Sequence, residues 1–218
     1  MFAAPPEQQL EWSGAGVEGA SRFLRRVYLY CVSQASTLRE CLQTTAQQSN
    51  EAEKTLRREV HTILKQANFD YQRRQYNTVV SASMKLLNLL EPVKLGEGCP
   101  IGAPVLWECL SILLRVLYPV VPHLTHALWQ QIGYDQSLGL ILDAPWPEVD
   151  EAALVQTELT LMLQINGKLR GDIRVPAVAT KDQIEILALQ SEPAIKALNG
   201  AAPSKVIVVP GRLVNIVV

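Results

Sequence analysis

Apolar residues in this chain recur at helical spacing up to Ile132 and at strand spacing from Leu159. That single change of period restricts the fold to a helical unit followed by a smaller strand-containing one, because residues three and four apart share a helix face while residues two apart share a strand face. Four or five helical stretches are expected in the first part. Glu18 to about Ser36 places Phe23, Leu24, Val27, Tyr28, Tyr30 and Cys31 on a broad apolar face, with Arg22, Arg25 and Arg26 opposite. Asn50 and Glu53 form a capping box that opens a second helix, running to about Arg74. A third runs from Tyr76 to Leu90 and stops before Pro92. A fourth runs from near Gly102 to Tyr118, where Pro119 and Pro122 interrupt it, and a shorter fifth ends near Ile132. Antiparallel helices joined by mostly short connections form a bundle.

Residues 134–157 are rich in Gly, Pro and acids and read as a linker, so the expected division is a helical domain over 1–150, with its bundle at 13–133, and a small domain over 158–218. In the second domain Leu159, Leu161, Leu163 and Ile165 alternate with polar positions, Asn166-Gly167 marks a turn, and a second strand follows. A two-residue loop would pair Ile165 with Lys168 and put Leu169 on the polar face. A three-residue loop over 166–168, pairing Ile165 with Leu169, is therefore expected. Thr180 with Gln183 caps one helix, Ser191 caps another, and Lys205–Val209 with Leu213–Val218 forms a closing hairpin across Pro210-Gly211. The order ββααββ gives a small α+β domain whose sheet buries one face under helices, so the fold class is mainly α, a bundle followed by that domain.

The 218 residues carry 20 Lys and Arg against 21 Asp and Glu, so no global field draws the chain to nucleic acid, and any such contact must come from local patches. Cys31, Cys41, Cys99 and Cys109 lie in no CxxC pair, and His123 and His126 have no matching third ligand, so no metal site is expected and the thiols are read as reduced and buried. No apolar run is long enough for a membrane span or a signal peptide, which points to a soluble cytoplasmic protein. No Walker loop, GxSxG or Rossmann glycine pattern is present, so no residue is assigned a catalytic role and no cofactor is expected in this chain.

Three groups of residues suit a phosphate backbone, since Lys and Arg neutralise phosphates and release counterions. Arg22, Arg25 and Arg26 form the polar face of the first helix. Arg57, Arg58, His61 and Lys65, with Asn68 and Gln72, form an adjacent stripe on the second. Asn166, Lys168 and Arg170 surround a turn whose Gly167 and Gly171 allow close approach of a ligand. The bland alternative in each case is a solvated face. On that alternative the chain is a helical scaffold that binds another protein.

The octapeptide QINGKLRG at 164–171, APWP at 144–147 and the closing VPGRLVNIVV at 209–218 together resemble the C-terminal end of bacterial leucyl-tRNA synthetases. FAAPPEQQLEW at 2–12 and GVEGASRFLRRV at 16–27 resemble the segment after the catalytic domain in that family. PHLTHALW at 122–129 is similar to the PHxTEELW element of class I anticodon-binding domains, with His126 and Ala127 in place of its two acids. The resemblance implies an anticodon-binding-type bundle and a last domain that holds the outer corner of the tRNA. It also implies a parent enzyme that activates leucine with ATP and Mg, and upstream catalytic and editing domains as partners in a monomer. Neither the HIGH nor the KMSKS motif of class I catalysis is in the chain, so by itself it is expected to bind tRNA(Leu) without catalysing leucylation. The equivalent region of a valyl or isoleucyl enzyme is the rival within the class, and the hairpin and the VNIVV ending favour the leucyl branch.

Overall fold

A computed structural model describes residues 13–41, 50–155, 158–198 and 203–217, which divide into two compact units meeting between Leu154 and Val155. The Pro-containing lead before Ser13 and the polar connection through Gln47 and Gln48 lie outside the described residues.

In the first unit α1 (Gly14–Cys41), α2 (Glu51–Gln72), α3 (Tyr76–Leu90), α4 (Ala103–Leu117) and α5 (Pro122–Ile132) surround one core. Leu38, Leu64, Leu86, Leu87, Leu106, Leu110 and Leu113 are fully buried in it, along with Trp129 and Tyr134. α1 begins four residues before the expected Glu18, because the Ser13 hydroxyl accepts the Gly16 N–H at 3.2 Å and supplies a cap ahead of the glycines. The Asn50–Glu53 capping box is formed and does more than start α2. Glu53 is buried and its second oxygen accepts the Gly102 N–H at 2.8 Å, while Asn50 Nδ2 donates to the Pro100 carbonyl at 2.6 Å. One cap thus fixes where α4 begins.

The expected linker differs from what is found over 134–154. Tyr134 and Ile141 enter the core, α6 (Asp135–Leu138) makes a single turn, and the segment then lies as a strap across α2 and α4. The Arg115 guanidinium donates to the Pro145 carbonyl at 2.7 Å, the Trp146 indole N–H donates to Asn68 Oδ1 at 2.8 Å, and the Trp146 ring meets Tyr71 edge-on at 5.0 Å. Gly and Pro content signals irregular backbone, but irregular backbone still packs when it carries aromatic side chains with a place to bury.

In the second unit β1 (Glu158–Ile165), β2 (Lys168–Pro176), β3 (Lys205–Val209) and β4 (Leu213–Val217) form one sheet in the order β2-β1-β4-β3. β1 and β4 are parallel, and the crossover between them carries α7 (Lys181–Leu189) and α8 (Glu192–Leu198). Leu161, Leu163, Ile173, Val175, Val214 and Ile216 share a core with Ile184, Ala188 and Ala194 of the two helices. Thr180 and Gln183 make the expected capping box.

Candidate nucleic-acid interface

The turn between β1 and β2 takes the register that the alternation argued against. Asn166 and Gly167 both have positive φ, 50° and 76°, as a type I′ loop of two residues requires, and Ile165 pairs with Lys168. Leu169 consequently sits opposite Gln164 on the outer face and is 61% exposed. The faces are restored one step later by a bulge. Leu163 pairs with Gly171, so Arg170 is the extra residue, and Gly171 takes φ 155° beside Pro193. The insertion expected in the loop has moved into the strand. Lys168 and Arg170 remain exposed, and Arg170 lines a groove with Ile165 whose far wall is Glu192, Pro193 and Lys196 of α8. Asn215 of β4 accepts the Gly167 N–H at 3.0 Å and Asn166 N–H donates to the Ile216 carbonyl at 2.9 Å, so the NG turn and the VNIV strand hold each other.

The stripe on α2 is used differently from the expectation. Arg57 is held on both edges: Nε and Nη2 donate to the two Glu108 oxygens at 2.6 and 2.8 Å, and Nη2 also donates to Asp150 at 2.8 Å. His61 is 3% exposed. Its Nδ1 accepts the Asp150 backbone N–H at 3.0 Å, so Nε2 carries the hydrogen and donates to Glu108 at 3.1 Å. Burial disfavours ionised Glu108, but the hydrogen bonds from His61 and Arg57 and the guanidinium charge outweigh it, and its carboxyl falls to about 2. The Arg57 bond likewise lowers Asp150. Lys65 pairs with Glu151 of the strap at 3.0 Å, both exposed. His61 and Arg57 are thus anchors of the strap, each engaged by Glu108 and Asp150. Glu108 and Asp150 lie 51 and 93 positions from Arg57, a separation that leaves no local sequence signal.

Arg26 is also engaged, donating to Glu91 at 3.0 Å and to Asn88 at 2.7 Å across to α3. Among the described residues Arg22, Arg25 and Arg58 make no ion pair, and the first two are exposed on α1. Cys31 and Cys109 are buried, and burial pushes both thiols up to about 12; Cys99 is half-buried. No cluster of metal-ligating side chains occurs among the described residues, and none of their helices is long and apolar enough to cross a membrane.

The family described as the anticodon-binding domain of tRNA ligase matches residues 53–186. A leucine–tRNA ligase of Polynucleobacter necessarius is 76% identical over the whole chain, and one of Cupriavidus pinatubonensis is 58% identical. The chain spans about a quarter of the length of these relatives, 24% in both. In the ternary complex of Agrobacterium radiobacter K84 agnB2 LeuRS with tRNA and LeuAMS, the synthetase superposes with a TM-score of 0.70 at 24% identity. The match covers 99% of this chain and 28% of that one, a likeness of fold.

Proposed function

The chain belongs to the family of anticodon-binding domains of tRNA ligases, and from that membership we propose that it is the tRNA-holding portion of a leucine–tRNA ligase. In this reading it orients leucine-accepting tRNA for a leucylation that uses ATP and Mg and is carried out by other residues of the parent, in the cytoplasm and as a monomer. Holding the substrate in a reactive geometry is itself a large part of catalysis, because it removes orientational freedom before the chemical step. The observation that carries the reading is the exposed pair Lys168 and Arg170 on a turn held by β4, with no acid partner among the described residues. Arg22, Arg25 and Arg58 supply further cations on the bundle. The second unit has no Phe, Tyr or Trp, so its contacts are made by cations, amides and aliphatic groups, which fits recognition of shape and phosphates over stacking on bases.

Titrating the chain with tRNA(Leu) over a range of salt tests this. Affinity is expected to fall steeply as salt rises, and Lys168→Gln with Arg170→Gln to reduce the slope of log K against log salt by about two. Binding that ignores salt, or a slope unchanged in the double variant, removes the hairpin from the interface. ATP–pyrophosphate exchange by the chain alone is expected to be absent.

A further inference from the structure

The C-terminal corner of α2 carries cations and an exposed ring that the interface above does not use. Phe69 is 50% exposed, and the Arg73 guanidinium carbon lies 5.3 Å from its ring centroid, one turn further along the same face. Arg73 and Arg74 are both exposed and make no ion pair among the described residues. The acid of this stretch, Asp70, is 9% exposed, its carboxylate accepts the Gln66 amide at 2.8 Å, and it forms no ion pair with either arginine among the described residues.

Arg74 also stands in an unfavourable backbone. Its φ is 58°, its N–H donates to the Tyr71 carbonyl at 3.0 Å, and the next N–H, of Gln75, donates to the Asp70 carbonyl at 2.9 Å. This pair of bonds is the Schellman ending, whose left-handed residue is usually glycine because a Cβ is strained there. A cation at a helix C-terminus complements the macrodipole, but Arg73 already does so from an unstrained position. A second guanidinium at the strained one is accounted for by a ligand outside the fold.

We infer that this corner binds the phosphodiester backbone of RNA, with Arg73 splinted by the Phe69 ring and Arg74 each neutralising one phosphate. The inference rests on the tRNA-holding reading and adds to it a contact on the bundle separate from the hairpin. Charge complementarity selects the occupant: two unpaired, planar, bidentate donors side by side match successive phosphates.

Arg74→Gly makes a clean test, since glycine relieves the strain while deleting the charge. In the whole chain this variant is expected to melt about 2–4 °C higher than wild type and yet to bind tRNA(Leu) more weakly, with the salt slope reduced by about one. Arg73→Gln with Arg74→Gly should reduce it by about two, additively with the hairpin variant. Wild-type binding with an unchanged slope in both variants overturns this site and leaves the hairpin reading intact. Absence of salt-dependent tRNA binding in the wild type overturns both.

Discussion

Arg57 shows how far a side chain's role depends on what faces it. In isolation it is one cation of a basic stripe; in the fold it is the hub joining α2 to Glu108 of α4 and to Asp150 of the strap. Removing it deprives two carboxylates of the guanidinium they share, so Arg57→Ala is expected to destabilise the bundle by about 1–3 kcal/mol in urea unfolding. Glu108→Gln is expected to destabilise as well, because both Glu108 oxygens accept and the amide leaves its NH2 facing a donor. The pH dependence follows from the same group. The Glu108 carboxyl is lowered on folding from an ordinary 4.5 to about 2, so its contribution is fully present above about 4.5 and drains away as pH falls toward about 2. Asp150 acts in the same direction. The unfolding midpoint of the bundle is therefore expected to drop over that window, and the drop to be shallower in Glu108→Gln.

At the scale of elements, caps were the most legible features, because a cap is a contact between residues three apart. Asn50–Glu53 and Thr180–Gln183 were readable as letters and formed as read. Asn50 also reaches Pro100, so Asn50→Ala is expected to cost about 1–2 kcal/mol, measured as a shift in the urea midpoint. The β1–β2 register was not readable, although the NG turn was. Alternation favours a three-residue loop, and what makes the two-residue loop possible is a bulge that places Arg170 opposite no partner. Gly171 makes the bulge possible at φ 155°, a backbone that a side chain resists. The strap was misread as linker for a related reason. The burial of Tyr134 and Ile141 and the seating of Trp146 against Tyr71 depend on surfaces contributed by α2, α4 and α5.

For the whole molecule, the two units have separate cores, every Trp and Tyr of the sequence precedes Val155, and those among the described residues lie in the first unit. Tryptophan fluorescence thus carries no signal from the second unit, whereas far-ultraviolet circular dichroism reports both. The smaller unit buries less surface and should unfold with a smaller m-value, so the two probes are expected to give non-coincident urea transitions. Superimposable curves would mean that the units unfold as one. The sequence by itself determined the helical unit, the ββααββ unit after it, the helix starts at their caps and the family, because these depend on periodicity, neighbours a few positions apart and ordered motifs. Only the tertiary structure decided which cations are free to meet a polyanion. The cations Arg57 and Lys65 and the imidazole of His61 are written in the chain, but the acids that occupy them arrive from 47 to 93 positions away, and an electrostatic partner is set by distance in space.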